Sequence, residues 1–532
     1  MTIESDNTWM VHLIAFLLYA EIHHRIWNLY SRYFKREPEI VADMPHRVGP
    51  GRKLPVLVCI KDAHRYPILL HEIAIHLVGE QDRTLLLQKN FKNLAISKAL
   101  WYEILPCDVE QLSGKVKIDV TILYSGKKQI KCVNDNYKLT SHAPFDVIID
   151  PHPRPRLDGW VWGDLHTHSH LTSDQVEFGA PFAVSSAMAY ALELDFFAVT
   201  DHSYDLDDSL DNYLINDPER PKWKMLWEQV RRLNETNANV VILPGEELSV
   251  GNVKNRNVHF LLLNNRAFFS GAGDSAERWF HTRPQHTIPD VLSRLEGSAL
   301  AFAAHPLVDP PFVQKLLIRR GMWSDRDLKH AALHGCQFWN GDKGHFLEFG
   351  LPKWIELLLH GHKITLIAGT DAHGNFNRFR QIGTPHLTMR EGPLEVFGMC
   401  RTGVYVGGEL SLDAIVNGLR EGHAIVTDGP MAAMAFTPSA VGGSVHAPDG
   451  CVRIDVCSSP SYGDVRALSL IIGDIAEKKE TRRRIDHPSG LYRFTENVAL
   501  KYCPQPGYIR LELETCIGDH TFHCFTNPIY FD

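Results

Sequence analysis

Short apolar runs punctuate this chain, and their rhythm changes twice. The runs at 54–60, 73–78, 83–88, 116–123 and 129–132 are brief, with glycine and asparagine turns between some of them, and read as strands. They predict a β-sandwich over 45–155, closed by the proline-heavy link Pro151-His152-Pro153-Arg154-Pro155. From Trp160 to about Pro430 the apolar runs alternate with helix-length segments at 181–194, 223–234, 289–295 and 352–360. That alternation predicts βα units and parallel strands over 156–430. Short strands return at 452–456, 467–472, 508–515 and 521–526, so a second β-sandwich is expected over 431–532. Ahead of all this, the mostly apolar run from Trp9 to Ala20 continues at helical spacing through Tyr33 and predicts an N-terminal helix over 1–44. The run falls short of the ~20 residues needed to cross a bilayer. It suits a helix packed on the body or on a second subunit, or one lying on a membrane surface and ending in Arg32, Lys35 and Arg36.

In the middle region the chemistry follows the strands. Trp160-Val161-Trp162 leads to His166 and His168, the run 196–199 to Asp201 and His202, and the run 240–243 to Glu247. His259 opens the run 260–263, 300–303 leads to His305, and 364–367 leads to Asp371 and His373. With 336–339 included there are seven strand candidates. Residues i and i+2 on a strand face the same way, so His166/His168 and Asp371/His373 can each present two ligands to one centre. A lone His-x-His or Asp-His pair means little. Imidazoles and carboxylates recurring after strand upon strand are the pattern of a multinuclear metal site.

Composition sharpens this reading only in places. A chain of 532 residues is too long for one hydrophobic core, and 44% hydrophobic with 22% charged residues is ordinary for a globular protein. The 29 histidines are the departure, imidazole being the commonest transition-metal ligand. A net charge of −8 argues against a nucleic-acid partner, which needs a basic surface. Ten scattered cysteines without a Cys-x-x-Cys pair read as reduced thiols, and no secretory cleavage site follows the N-terminal apolar run, so the cytoplasm is the expected compartment. Cys516, His520, His523 and Cys524 could suggest zinc, but His523 and Cys524 adjoin on an expected strand and so point to opposite faces.

The segments GDLHTHSHLTSD, VTDHS, LPGEELSV, VHFLLL, FAAHP and GTDAHG, in that order over roughly 160–430, resemble the polymerase-and-histidinol-phosphatase (PHP) family of metal-dependent phosphoesterases. The flanking sandwiches and the ending CFTNPIYF are similar to its large multidomain members, which include carbaryl-hydrolase-like proteins. The resemblance implies an α/β fold: a distorted seven-stranded, TIM-like β/α barrel flanked by two β-sandwich domains. It also implies two or three divalent ions (zinc, manganese or iron). Carried over residue by residue, His166, His168, Glu247 and Asp371 would hold the first ion. Glu247, His259 and His305 would hold the second, and Asp174, His202 and His373 the third. The loop from His166 to Asp174 is one residue longer than the commonest family form, and Gln175 stands where glycine usually follows, which leaves the third ion open.

The expected reaction is hydrolysis of a phosphate ester by a hydroxide shared between two cations bridged by a carboxylate. The alternative keeps the ions and changes the bond to an amide, ester or carbamate. A small anionic substrate needs cationic contacts, and Arg378, just after the Asp371-Ala372-His373 motif, is the expected catalytic-site contact, followed by Arg380, Arg256, Lys254 and Lys343. Asp201 is expected to act in catalysis as a proton carrier or as a support for the ligands.

Overall fold

The computed structural model describes residues 36–531 apart from 139, 173–178, 211–214, 238, 274, 276–281, 384–387, 437–438, 446–449 and 501–502. Asp174 and positions 1–35 of the expected N-terminal helix therefore lie outside the described residues. The remainder of that helix's expected span carries a strand, β1 (Glu39–Asp43).

The first unit is built from β1, β2 (Arg47–Val48), β3 (Leu54–Lys61), β4 (Ile68–Val78), β5 (Arg83–Ile96), β6 (Leu100–Cys107), β7 (Gly114–Ser125), β8 (Gln129–Val133) and β9 (Phe145–Ile149). They form two sheets, β1-β3-β6 and β2-β9-β7-β4-β5, with β8 paired to β7. Alternation explains where their side chains go. Val56, Val58 and Ile60 of β3 join Ile73, Ile75, Val120 and Ile122 in the core of this unit. Leu57 and Cys59, on the other face of the same strand, join Met188 and Ala189 of the helix Phe182–Ala191 in the core of the middle region. One strand thus seals two cores.

The middle strands are β10 (Trp160–Asp164), β11 (Phe196–Val199), β12 (Val241–Gly251), β13 (Asn257–Leu263), β14 (Leu300–Ala303), β15 (Gly335–Asn340) and β16 (Thr365–Gly369). They lie side by side in chain order. Helices fill the connections where the apolar spacing predicts them. Pro221 occupies the first turn of Pro221–Thr236, where its missing N–H costs nothing, and Trp223, Leu226 and Val230 are that helix's buried stripe.

The expectation of a seven-stranded α/β barrel is overturned. Strand accounts for 43% of the structure and helix for 15%, and no barrel closes. Two features explain the difference. Pairing is mixed: β12 runs parallel to β11 through Val241–Pro244 but antiparallel to β13 beyond, and β13 and β14 are also antiparallel. A hairpin of five residues replaces a crossover helix between β12 and β13. In addition, the free edge of β10, where closure would require β16, is taken by β19 (Arg401–Tyr405), antiparallel to it. Between them, β17 (Phe379–Gly383) and β18 (Thr388–Gly392) form a separate hairpin. The sheet then continues through β20 (Ala424–Thr427) into strands of the last hundred residues, reaching 15 strands among the described residues.

Those last strands are β21 (Met431–Phe436), β22 (Ser439–Ala440), β23 (Ser444–Val445), β24 (Cys451–Cys457), β25 (Asp464–Asp474), β26 (Lys479–Arg484), β27 (Arg493–Ala499), β28 (Gly507–Ile517), β29 (His520–Thr526) and β30 (Ile529–Phe531). Four of them make the sheet β22-β21-β24-β27, while β29, β28, β25 and β26 extend the central sheet from β20. Among the described residues no helix is long and apolar enough to cross a membrane.

Candidate metal centre

The segments that follow the strands are stitched to one another by backbone hydrogen bonds. Asp371 N donates to His166 O at 2.8 Å and His168 N to Ala372 O at 2.9 Å, so the segments after β10 and β16 lie together although those strands share no ladder among the described residues. Glu247 N donates to Asp201 O at 3.0 Å, and Ala304 N to His259 O at 3.3 Å. Asp164 is a buried clamp beneath them. It accepts from Thr370 N at 3.0 Å, from the Thr370 hydroxyl and from His166 N at 3.2 Å, while burial pushes its carboxyl up to about 6. Gly369 is needed for close approach, since a Cβ there would stand 2.7 Å from that of His166.

Glu247 is fully buried and is the hub. Its carboxylate lies 3.4 Å from His166 Nε2, 3.5 Å from His168 Nε2, 3.0 Å from His202 Nδ1, 2.6 Å from His259 Nδ1 and 3.0 Å from His305 Nε2. Asp371 Oδ1 stands 3.2 Å from His166 Nε2 and 3.1 Å from His168 Nε2, with Oδ2 3.7 Å from His305 Nε2. The His373 ring stacks on His168 with centroids 3.8 Å apart, and its Nδ1 faces the Asp371 carbonyl at 2.9 Å. Among the described residues of the cluster Asp371 and His305 are the most exposed, at 18% and 11% of their side chains, so the cluster opens on that side. Both residues have left-handed backbone, φ +58° and +28°, a strain of roughly 1 kcal/mol or more each that concentrates at functional sites.

Three overlapping groups offer ligand atoms within 4.8 Å of one another: His166/His168/Glu247/Asp371, His202/Glu247/His259 and His168/His202/His373. The first has the four residues expected for the first ion. In the second, His202 joins Glu247 and His259, with His305 also on Glu247. In the third, His168 joins His202 and His373, and Asp174 falls outside the described residues.

The donor set fits divalent cations on physical grounds. Most of the nitrogen–oxygen separations, 3.0–3.5 Å, are those that metal–ligand bonds of about 2.1 Å give around an octahedral or tetrahedral ion, while His259–Glu247 at 2.6 Å is shorter and His305–Asp371 at 3.7 Å longer. Gln337 settles the orientation of His166: its Oε1 faces His166 Nδ1 at 2.8 Å, while its Nε2 donates to Asn340 Oδ1 at 2.7 Å and Gly369 O at 3.1 Å. The amide oxygen only accepts, so Nδ1 carries the proton and Nε2 turns to the cluster. There it stands 3.2 Å from His168 Nε2, an arrangement that needs a proton or a cation between the two nitrogens. Burial opposes charge on His166, yet Asp371 and Glu247 outweigh it and raise the imidazole to about 9. Burial, together with His373 and His202, holds His168 well below the usual imidazole range. Burial alone would raise Glu247, but His259 and His166 hold it well below the carboxylate range.

Other expected residues sit differently. Asp201 is buried and accepts from Ser169 N and Oγ, both at 2.7 Å, and from Thr172 N and Oγ1 at 3.1 and 2.8 Å. Thr172 Oγ1 lies 3.3 Å from His168 Nδ1, so Asp201 steadies His168 through an intermediary. Arg378 is engaged by the first unit: Nη2 donates to Ala143 O at 2.8 Å and Pro144 O at 2.9 Å, and the guanidinium lies over the Phe145 ring. Arg380 reaches Ala42 O and Asp43. Both arginines tie the two units together rather than joining the cluster. Gln337, Asn340 and Arg320 were not singled out in the sequence; the first two lie on β15, whose apolar character hides its inward polar positions. Glu246, next to Glu247 on β12, points the opposite way to Ser203 Oγ at 3.0 Å and Asn265 Nδ2 at 3.4 Å, and burial pushes it up to about 8.

No family model and no curated protein matches the chain. Among solved structures, Bacteroides uniformis beta-glucuronidase 2 covalently bound to cyclophellitol-6-carboxylate aziridine is similar at 8% identity and a TM-score of 0.20, over 93% of this chain and 61% of that one. The chain thus spans less than two thirds of that protein, and a likeness at this level carries no argument about fold or function.

Proposed function

We propose that this protein is a metal-dependent hydrolase that cleaves a phosphate ester, with two or three divalent ions held by the histidine–carboxylate cluster. One observation carries the reading: a buried carboxylate, Glu247, in contact with five imidazoles, with Asp371 closing the group on the open side. Divalent ions bound there would supply Lewis acidity and a nucleophile at neutral pH. The ordered motifs that resemble the PHP family support the same reading.

The chain's own residues divide the work. His166, His168, Glu247 and Asp371 would hold one ion, with Gln337 fixing His166 and the Asp201–Thr172 pair steadying His168. Glu247, His259, His202 and His305 would hold the second. His305 and Asp371, at the mouth, are the first groups a substrate meets. Burial of the remaining ligands keeps bulk water from competing for them.

A second reading keeps the ions and takes a neutral ester, amide or carbamate as substrate. The engagement of Arg378 and Arg380 by the first unit favours it, because it removes the cations that the sequence offered to an anionic substrate. Hydrolysis of 4-nitrophenyl phosphate and of a 4-nitrophenyl carbamate, with Mn²⁺ or Zn²⁺ restored to chelator-treated protein, separates the two. Phosphate cleavage that depends on metal and on His166 supports the first reading. Carbamate cleavage alone replaces it with the second.

A further inference from the structure

The strands that carry candidate ligands at one end frame a cavity at the other. β15 and β16 run parallel and begin at Gly335 and Thr365. A space of about 520 Å³ opens beside those starting residues, with His334, Lys363, Thr365, Arg420, Glu421 and Tyr530 in its lining. β16 leaves this cavity at Thr365 and ends at Gly369, against His166. At about 3.3 Å per residue the cavity and the histidine–carboxylate cluster are roughly 13 Å apart along that strand.

The backbone around the cavity is locked. His334 N donates to Ala301 O at 3.1 Å and Thr365 N to His334 O at 3.2 Å, which sets His334 between β14 and β16. Buried Asn527 ties β16 to β20: it accepts from Leu366 N at 2.7 Å and donates to Leu366 O at 2.9 Å and Ala424 O at 2.8 Å. The helix Leu412–Arg420 ends beside the cavity in a turn through Gly422, φ +70°, where His423 N donates to Gly418 O at 2.8 Å and Gly422 N to Leu419 O at 3.2 Å. Its last carbonyls are thus met by backbone.

The side chains of the lining offer donors. His334 Nδ1 accepts from Ala301 N at 3.2 Å, so the neutral ring carries its proton on Nε2. Burial, with Arg420 nearby, holds this imidazole below its ordinary range and so keeps it neutral near pH 7. Arg420 makes one hydrogen bond among the described residues, from Nη1 to Asn417 Oδ1 at 3.1 Å, and a guanidinium has five N–H groups. Lys363 Nζ reaches Ser444 Oγ at 3.2 Å and stands 5.0 Å from the centre of the Tyr530 ring. The carboxylate of the lining, Glu421, faces His423 Nδ1 at 3.2 Å. Two cations beside a neutral N–H donor, gathered on a chain of net charge −8, match an oxyanion. The volume falls in the range of small-molecule sites, roughly 300–1,000 Å³, which is more room than a lone ion fills.

We infer that this cavity binds a small organic oxyanion, a phosphate or a carboxylate, between Arg420, Lys363 and the Nε2–H of His334, at the strand ends opposite the metal cluster. The inference does not depend on the hydrolase reading.

The test titrates phenylphosphonate and succinate into full-length protein by calorimetry, before and after chelation of metal, with glycerol as a neutral control. Saturable binding that survives chelation is expected. A tighter phosphonate identifies phosphate as the recognised group, and a tighter succinate identifies carboxylate. Arg420→Gln and Lys363→Gln should each weaken binding about 10-fold, the loss of one charge-assisted contact. Both side chains are exposed, so the variants should keep the fold, which circular dichroism checks. Arg231→Gln, which removes a surface charge paired with Glu235, should leave the affinity unchanged. No saturable binding of either probe, unchanged affinity in Arg420→Gln or Lys363→Gln, an equal loss in Arg231→Gln, or binding abolished by chelation would overturn the assignment.

Discussion

Replacing Gln337 by alanine removes the side chain that faces His166 Nδ1 and leaves every candidate ligand in place. Gln337 is fully buried and makes three hydrogen bonds, to His166 Nδ1 at 2.8 Å, Asn340 Oδ1 at 2.7 Å and Gly369 O at 3.1 Å. Net hydrogen-bond contributions of about 1 kcal/mol each, together with the cavity left, put the folding cost at roughly 3–5 kcal/mol. The effect on metal is separate. With no acceptor at Nδ1 the imidazole is free to turn or to change tautomer, and removal of such orienting partners costs roughly 10- to 100-fold in affinity. That corresponds to about 1.4–2.8 kcal/mol. Gln337→Glu keeps an oxygen facing His166 Nδ1 and should bind metal closer to the wild type than the alanine variant does. Competition between apo-protein and a chromophoric chelator for Zn²⁺ gives the affinities, and circular dichroism checks the fold. If the alanine variant stays folded and binds zinc as tightly as the wild type, Gln337 does not orient a ligand and the reasoning fails.

Three further outcomes follow from the same contacts. Arg380→Ala breaks a buried contact with Asp43 and Ala42 O and should destabilise the junction of the first and middle units by roughly 3 kcal/mol or more, measured by urea unfolding, with metal content unchanged. Glu246, pushed by burial from 4.5 up to about 8, contributes stability that is full below pH 4.5 and is lost as the pH rises from there through about 8. Glu246→Gln should therefore flatten the dependence of stability on pH across that window, and a slope equal to the wild type's would refute it. Chelation of bound metal should lower the midpoint of thermal unfolding, and added Mn²⁺ or Zn²⁺ should restore it; ions at a hundred times their dissociation constant stabilise by about 2.7 kcal/mol per site.

Much of this structure is visible in the chain because its signals are local. The runs 196–199 and 300–303 coincide with β11 and β14, and the helix-length segment 223–234 lies inside the helix Pro221–Thr236. The residues His166, His168, Glu247 and Asp371 come together because they follow β10 and β16 or lie on β12. Pairing direction was not legible. The apolar run of β13 looks the same whether it runs parallel or antiparallel to β12, and nothing in the run 401–405 announces that it will occupy the edge of β10. The roles of the arginines were lost for the same reason. Arg378 is close to the ligands in sequence but faces the first unit, whereas Arg320 is far from His259 in sequence and reaches it through the isolated bridge between Asn257 and Arg320.

The most direct test of the account is the metal stoichiometry of purified wild-type protein beside His166→Ala, with the fold of both checked by circular dichroism. Two or three divalent ions per chain are expected in the wild type and fewer in the variant. A folded wild type that takes up no stoichiometric metal from Mn²⁺- or Zn²⁺-containing buffer would contradict it.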